Sequence, residues 1–406
     1  MRSTGRRPRR LLSVLAAVGP LIAGAVLAAP ASAAPSPAAP ADGPWAARAA
    51  GSYAALLDHL YLGASGHGLF QEQTPKQPTD NPYSYLWEYR EATQATFDLA
   101  NVPGLGRKYG PDVQDRLTAL GQYASTDPAH SGYDSYLPAP LGTGGDLFYD
   151  DNAVVGITLT DQYRASGDRG LLDAARAQFT TDLRGWDSDT ARACPGGMHW
   201  VESDSNAMRA ANVTGLFAQL SANLYEITHQ RTYLDWAQRA YDWNRTCLRQ
   251  APGLYANDLG DDGTLNTTLW SYNSGAMIGA ATVLYRATGK SAYLHDAVDD
   301  ANGALAYYGA ESRLYDQPAI FNSFFFQDLL LLDSVHHDAR YRATLAAYAQ
   351  RLWTDNRDPA TGLFHFQGSN GGTPDPALPV GTLNQSAAVQ LFALLAWDPK
   401  DYHRIT

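Results

Sequence analysis

Residues 150–183 read DDNAVVGITLTDQYRASGDRGLLDAARAQFTTDL and contain two segments of different polarity joined by a glycine turn. Apolar residues cover most of the circumference of 153–159, which predicts a helix that is buried on nearly all sides. In the second segment Leu171, Ala175 and Phe179 recur every four residues among polar ones, which predicts a helix with one wet face. We therefore predict a hairpin in which one helix is interior and the other is half-exposed.

The hairpin pattern recurs along the chain. Tyrosines at 163, 225 and 285 each precede a polar or glycine turn, at steps of 62 and 60 residues. The repeats predict inner helices that begin near 84, 150, 206, 272, 320 and 384, and outer helices that begin near 45, 111, 170, 231, 291 and 339. Twelve alternating helices indicate an all-α (α/α)6 toroid of six helical hairpins. The chain lacks the alternation of strands and crossover helices that a doubly wound sheet needs.

A short motif precedes each predicted inner helix. The six occurrences are Gly68-Leu69-Phe70, Gly132-Tyr133, Gly197-Met198, Gly253-Leu254-Tyr255, Arg313-Leu314-Tyr315 and Gly362-Leu363-Phe364. We interpret them as turns or short strands on one rim of the ring. Because the loops that feed the inner helices converge at one end of such a ring, this rim is predicted to be the mouth of a cleft.

The adjacent carboxylates of Asp150 and Asp151 lie at this end of their repeat. Two such groups repel each other, so one pKa tends to rise and the other to fall. A split pair supplies one ionised nucleophile and one protonated acid, as glycoside hydrolysis requires. The alternative is an acidic helix N-cap. The predicted position at the cleft favours the chemical role.

The N-terminus has the pattern of an export signal. Residues 1–33 combine an arginine-rich start, an apolar stretch and the small-residue cleavage site Ala31-Ser32-Ala33. Residues 34–44 are predicted to be a Pro/Ala-rich linker, 45–401 a single catalytic (α/α)6 domain and 402–406 a short tail. No later segment is long and apolar enough to span a membrane. We expect a secreted, extracellular protein that is a monomer.

The charge of the chain argues against several classes of partner. Signal cleavage would remove five arginines and no acids, which takes the net charge from −11 to −16. Nucleic acid and anionic lipid both need a basic surface, whereas a neutral sugar does not. Cys194 and Cys247 lack CxxC spacing, and no EF-hand pattern occurs, so neither metal nor cofactor is predicted. Export would permit a disulfide between the two cysteines, although two free buried thiols are the alternative.

Three segments together carry a family resemblance. They are Tyr149-Asp150-Asp151-Asn152-Ala153, Gly196-Gly197-Met198-His199-Trp200 with Asn206 after it, and Trp270-Ser271-Tyr272-Asn273-Ser274-Gly275-Ala276. In this order they resemble the motifs of glycoside hydrolase family 76, the endo-α-1,6-mannanases. The resemblance implies a polysaccharide or oligosaccharide substrate with α-1,6-linked mannose and a retaining mechanism. It assigns Asp150 as the nucleophile and Asp151 as the general acid/base.

Six further residues in or near these motifs are candidates for sugar contacts: Tyr149, Asn152, Trp200, Asp262, Tyr272 and Asn273. Aromatic side chains can stack on sugar faces or hydrogen-bond through their polar tips, and amides and carboxylates can bind hydroxyls. Each has a structural alternative: the aromatic residues can pack in the core, the asparagines can cap helices, and Asp262 can form a turn.

The chain departs from the family pattern at positions that are expected to touch sugar. Val154-Val155 stands where the family usually carries tryptophan, and Ser274 stands where it usually carries glutamine. These departures leave open a hydrolase that acts on a different α-glycan. Two further alternatives are a transglycosylase, in which a sugar hydroxyl instead of water intercepts the same covalent intermediate, and a non-catalytic carbohydrate-binding toroid.

Overall fold

A computed structural model describes residues 45–127, 131–367 and 374–405 of the protein. The predicted signal peptide and linker lie outside these residues. The inner helices are α2 (Leu86–Ala100), α4 (Tyr149–Ser166), α6 (Ala211–Thr228), α8 (Ser271–Thr288), α11 (Ala319–Asp333) and α13 (Thr382–Ala396). The outer helices are α1 (Trp45–Leu60), α3 (Gly106–Leu120), α5 (Arg169–Asp182), α7 (Arg231–Cys247), α9 (Ser291–Tyr308) and α12 (Ala339–Arg351). A short helix, α10 (Arg313–Asp316), lies between α9 and α11.

The inner helices form a closed ring. Each one packs against the next in the order α2, α4, α6, α8, α11 and α13, and α13 packs back against α2. The outer helices α3, α5, α7 and α9 each pack on the inner helix that precedes them, α12 contacts both α11 and α13, and α1 packs on α13. The predicted (α/α)6 toroid is confirmed.

The two rings differ in burial as the sequence pattern requires. Every residue of α6 from Ala211 to Leu224 is buried. Its outer neighbour α7 buries a stripe that includes Tyr233, Ala237 and Tyr241, and it exposes residues between them. An outer helix is held on the ring because burial of its apolar stripe against the inner helices is favourable. An inner helix is enclosed by neighbours on all sides.

The recurring tyrosines mark the ends of inner helices. In α4, α6 and α8 the residue after the helix has a left-handed backbone and donates its N–H to a tyrosine carbonyl one turn earlier, at 2.7–2.8 Å. The pairs are Gly167 with Tyr163, His229 with Tyr225 and Gly289 with Tyr285. The repeat seen in the sequence is therefore a repeated C-cap, and each cap reverses the chain into an outer helix.

Short strands line the opposite rim. They are β1 (Gln73–Thr74), β2 (Met208–Ala210), β3 (Arg249–Ala251), β4 (Leu254–Gly260), β5 (Leu265–Leu269) and β6 (Val380–Gly381). Strand β4 pairs antiparallel with β2, β3 and β5, and β1 pairs antiparallel with β6. Isolated bridges at Phe70, Tyr133, Met198 and Phe364 place four more of the predicted motifs in extended pairs.

Three details of the sequence interpretation are wrong. Helix α6 begins at Ala211 rather than near 206, because residues 208–210 pair with β4 instead. Helix α3 begins at Gly106 rather than near 111, and Pro111 is its sixth residue, where the missing N–H removes one hydrogen bond of the helix. The motif at 313–315 is the helix α10, and not a turn or strand.

The C-terminal residues belong to the ring. Residues 402–406 were predicted to be a tail, but Tyr402 and Ile405 are buried, and Arg286 donates to the carbonyl of His403 at 3.1 Å. A disulfide joins Cys194 to Cys247, the last residue of α7. Among the described residues, no helix is long and apolar enough to cross a membrane.

Candidate active site

A cavity of about 230 Å³ opens at the rim where the inner helices begin. Its walls are mostly apolar and carry a few polar groups, the usual composition of a small-molecule site. The lining residues are Trp87, Asp150, Asp151, Val154, Trp200, Met208, Ala210, Asn212, Leu216, Asn257, Tyr272, Phe321 and Phe324. Four of the residues predicted from sequence therefore meet here: Asp150, Asp151, Trp200 and Tyr272.

Asp150 is held by hydrogen bonds from three directions. Its Oδ2 accepts the indole N–H of Trp200 at 3.1 Å and the side-chain amide of Asn212 at 2.8 Å. Its Oδ1 accepts the backbone N–H of Asp151 at 3.1 Å. Burial raises the pKa of Asp150, while these three donors oppose the rise by stabilising the carboxylate.

Asp151 has different surroundings. Within the described part of the chain, no donor is hydrogen-bonded to its carboxyl group. Burial raises the pKa of Asp151 well above its usual range, and the charge of Asp150 raises it further. Glu88 and Glu91 act in the same direction, and only Arg90 opposes them. The pair is therefore asymmetric: Asp150 is ionised more readily, and Asp151 keeps its proton more readily.

A clamped loop positions Trp200 beside Asp150. The carbonyl of Trp200 accepts the backbone N–H of Tyr149 at 2.9 Å, and its own N–H donates to the side chain of Asn206 at 3.2 Å. The indole ring also meets the ring of Phe148 edge to face, with centroids 4.9 Å apart. Trp200 is 38% exposed, so its N–H reaches Asp150 while one side of the ring stays open to the cleft.

An aromatic wall forms another side of the cavity. Tyr272 stacks on Phe321 with ring centroids 4.0 Å apart and planes 9° from parallel. Trp87 continues the stack on the other side, with centroids 6.1 Å apart and planes inclined by 14°. Trp270 supports Phe321 edge on at 5.5 Å. Burial raises the pKa of Tyr272, and the charges of Asp150 and Asp258 raise it further, so the phenol remains a neutral donor.

Four predicted contact residues do not line this cavity. The ring of Tyr149 is buried against Gly185, where an added Cβ would lie 2.8 Å from a ring carbon. Asn152 is fully buried and exchanges hydrogen bonds with the backbone of Tyr133 at 2.8 and 3.1 Å, which is a structural role. Asn273 is also fully buried. Asp262 lies exposed in the β4–β5 turn and accepts the backbone N–H of Thr264 at 2.8 Å.

Sequence reasoning missed several residues of the cavity, among them Trp87, Asn212, Asn257, Phe321 and Phe324. Two of them share a helix position with residues that were predicted, a signal that can be used only once the start of each helix is known. The second residue of α2, α4, α6 and α8 is Trp87, Asp150, Asn212 and Tyr272, respectively, and all four face the cavity. The side chain at this position is therefore directed to the cleft in four consecutive repeats.

Comparisons with known proteins identify a family. A family model described as glycosyl hydrolase family 76 matches residues 45–396. A putative mannan endo-1,6-alpha-mannosidase of Schizosaccharomyces pombe is 28% identical over 177 residues, which are 40% of this chain and 39% of that protein. The mannan endo-1,6-alpha-mannosidase DFG5 of Saccharomyces cerevisiae is 27% identical over 184 residues, or 41% of this chain and 39% of that protein. The matched region spans about two fifths of the length of these relatives.

Solved structures share the fold over most of the chain. A family 76 glycoside hydrolase (mannosidase) from Bacteroides thetaiotaomicron has a TM-score of 0.75 at 23% identity, covering 87% of this chain and 98% of that one. An inactive variant of the alpha-1,6-mannanase GH76A of Salegentibacter sp. HEL1_6, in complex with alpha-1,6-mannotriose, has a TM-score of 0.69 at 20% identity, covering 87% and 99%. That variant carries asparagine at two consecutive aspartates.

Proposed function

Because the chain belongs to glycosyl hydrolase family 76, we propose that it is a retaining glycoside hydrolase that cleaves α-1,6-mannosidic linkages within mannan chains. The observation that carries this proposal is the asymmetry of the aspartate pair. Asp150 accepts three hydrogen bonds and Asp151 accepts none from the described residues, although both line the same cavity. A nucleophile must be ionised and an acid must hold a proton, so the two roles follow from the two environments.

In the first step Asp150 attacks the anomeric carbon of the bound mannose. Asp151 gives its proton to the departing glycosidic oxygen, and a covalent glycosyl-enzyme forms. In the second step Asp151, now ionised, takes a proton from water as the water attacks the same carbon and displaces Asp150. Two inversions return the original configuration. The indole of Trp200 and the amide of Asn212 hold the Asp150 carboxylate in place through both steps.

The remaining walls are suited to a neutral sugar. Tyr272, Phe321 and Trp87 offer apolar faces to a pyranose ring, and the phenol of Tyr272 and the amide of Asn257 can bond its hydroxyls. The cavity lies on an open rim, which agrees with an enzyme that takes internal linkages of a polymer.

The test is product formation from a debranched α-1,6-mannan, with the parent compared with Asp150→Asn and Asp151→Asn. We expect short oligosaccharides from the parent and a loss of at least about 10³-fold in kcat for each variant. Full activity of both variants would refute the site assignment. A parent that binds mannan without cleaving it would favour a carbohydrate-binding toroid.

Leaving-group dependence separates the two roles. A mannoside with an acidic aryl leaving group needs little proton donation, so Asp151→Ala should keep much more activity on it than on mannan. Asp150→Ala should lose activity on both substrates. The reverse pattern would exchange the assignments. Product analysis with an added sugar acceptor distinguishes hydrolysis from transglycosylation, because an acceptor hydroxyl would then replace water in the second step.

We also propose that the protein is exported and acts as a monomer. The signal-like residues 1–33 support export, and the Cys194–Cys247 disulfide fits an oxidising compartment. All groups assigned to the chemistry come from one chain. N-terminal sequencing of the mature protein and light scattering of its purified form test the two statements.

A further inference from the structure

A second cavity, of about 520 Å³, lies between the outer helix α7 and the loop 186–196. It does not share a lining residue with the cleft that holds Asp150. The disulfide between Cys194 and Cys247 ties the loop to the end of α7, and both cysteines line the cavity. The disulfide therefore fixes the loop to the helix on the side of the cavity where the two cysteines lie.

Two tryptophans and an arginine form the main wall of this cavity. Trp186 and Trp236 meet edge to face, with ring centroids 5.3 Å apart. The guanidinium carbon of Arg239 lies 5.3 Å from the Trp186 centroid and 5.0 Å from the Trp236 centroid. Both tryptophans are only partly buried, whereas Arg239 is exposed. An apolar surface with an exposed cationic edge is thus available to a ligand.

Two charged side chains of the rim have polar atoms available for hydrogen bonds to a ligand. Arg239 and Asp242 are three residues apart on α7 and so lie on one face of the helix. Within the described part of the chain, neither side chain makes a hydrogen bond or a salt bridge. Both line the cavity, so a donor and an acceptor of opposite charge stand beside the tryptophans.

The close packing of the wall depends on a glycine. A Cβ at Gly196 would lie 2.7 Å from a ring carbon of Trp186 and 3.0 Å from one of Trp243. Its φ of +104° also lies where other residues rarely occur. Trp243 is further held by a hydrogen bond from its indole N–H to the carbonyl of Cys194 at 3.0 Å. The indoles are fixed before any ligand arrives.

We propose that this tryptophan pocket is a second binding site for a neutral glycan chain, and, resting on the proposed function, that its ligand is the α-1,6-mannan polymer itself. Indole faces accept the apolar side of a sugar ring, and Arg239 and Asp242 can bond adjacent hydroxyls. The opposite charges of these two groups favour a neutral ligand over an anion. A polymer held at this pocket is tethered near the cleft, which raises its effective concentration there.

The test is affinity electrophoresis through gels that contain debranched α-1,6-mannan. All variants carry Asp151→Asn so that the polymer stays intact. We expect Arg239→Ala to raise the apparent Kd for mannan about fivefold.

Arg231→Ala is the matched control, since it removes an exposed arginine of the same helix that lies outside the cavity and pairs with Asp235. Trp186→Ala is a second variant, and a thermal melt checks its folding because Trp236 and the core lie behind it.

The outcomes separate this inference from the proposed function. Equal retardation of Arg239→Ala, Trp186→Ala and Arg231→Ala would overturn the second site. So would a lack of retardation of the Asp151→Asn protein that carries no other change. Cleavage of mannotetraose by the parent is measured apart from the gels. Retardation that depends on Arg239 without any cleavage would leave the pocket standing while the proposed hydrolase activity fails.

Discussion

Two carboxylate sites of the inner ring are held in opposite ways. At the mouth Asp150 and Asp151 stand next to each other, and the hydrogen-bond donors to Asp150 are neutral groups. At the other end of the same helices Glu226 accepts from two guanidinium groups, Arg164 at 2.7 Å and Arg286 at 2.9 Å. Within the described residues the aspartate pair has no cationic hydrogen-bond partner, whereas Glu226 has two.

This difference suits Glu226 to a role in stability and the aspartate pair to a role in chemistry. A carboxylate that accepts hydrogen bonds from two guanidinium groups on neighbouring helices fastens those helices together. An uncompensated pair in an apolar cavity costs folding free energy, but its pKa values are drawn toward neutrality, where proton transfer is efficient. The variants below test this contrast.

The largest effect on stability is expected from Glu226→Gln. The change leaves Arg164 and Arg286 facing each other in a site where their side chains are only 23% and 17% exposed. We expect the free energy of unfolding in urea to fall by about 2–3 kcal/mol. The pH dependence of kcat/KM should not move. Glu311→Gln is the control, because the Glu311 side chain is 76% exposed in its pair with Arg313 and should cost less than about 0.5 kcal/mol. Equal unfolding free energies for the two variants would contradict the contrast.

Asp98→Asn should raise stability at alkaline pH. Asp98 is 1% exposed, its Oδ2 has no hydrogen-bond partner, and burial raises the pKa of Asp98 to about 7. The folded protein therefore binds a proton that the unfolded chain releases near pH 4, and stability falls as the pH rises from about 4 to about 7. At pH 8 the variant should gain on the order of 2 kcal/mol over the parent, and at pH 3 nothing. A gain that is the same at both pH values would show that ionisation of Asp98 is not its source.

Asn212→Ala should shift the acid limb of the activity profile. Asn212 donates to Asp150 at 2.8 Å, so its loss raises the pKa of the nucleophile. The ionised form then appears only at higher pH, and the acid limb of kcat/KM should move upward by about one unit, with a roughly tenfold loss below it. Trp200→Phe removes the other side-chain donor and should act in the same direction. An unmoved limb in both variants would mean that Asp150 does not control it.

The smallest effect is expected at the C-cap of α6, close to Glu226. His229 has a φ of +57°, a left-handed conformation that costs free energy for any residue with a Cβ. We expect His229→Gly to raise the free energy of unfolding by about 0.5–1 kcal/mol, measured in urea. Gly289 occupies the equivalent cap with no atom within 4 Å of an added Cβ, so Gly289→Ala tests conformation alone. It should lower stability by a similar amount, and a change in the same direction as His229→Gly would refute the explanation.

Much of the ring could be predicted because its helices are marked locally. The spacing of apolar residues distinguished inner from outer helices, and most predicted helix starts lie within two residues of the observed ones. The aspartate pair was selected from the sequence because its position in the repeat places it at the predicted mouth of the cleft. These signals involve residues that are close in the sequence.

The rest of the cleft depends on contacts between distant segments. Strand β2 pairs with β4 and delays the start of α6 by five residues, so a helix placed at 206 gives Asn212 the wrong register. Phe321 enters the cleft because it stacks on Tyr272, which comes from another repeat. Asp262 does not line the cavity for a local reason. Its carboxylate accepts the backbone N–H of Thr264 within the β4–β5 turn.

The contact between α1 and α13 has a consequence for how the chain folds. The first and last helices of the ring are partners, although more than 300 residues separate them along the sequence. During synthesis the ring cannot close until α13 has emerged. Until then the apolar faces of α1 and α2 that pack against α13 remain exposed. Five of the six helix pairs are local, but the sixth joins the two ends of the chain, so the ring is completed only when α13 is present, and a chain that stops before α13 is left with an open seam.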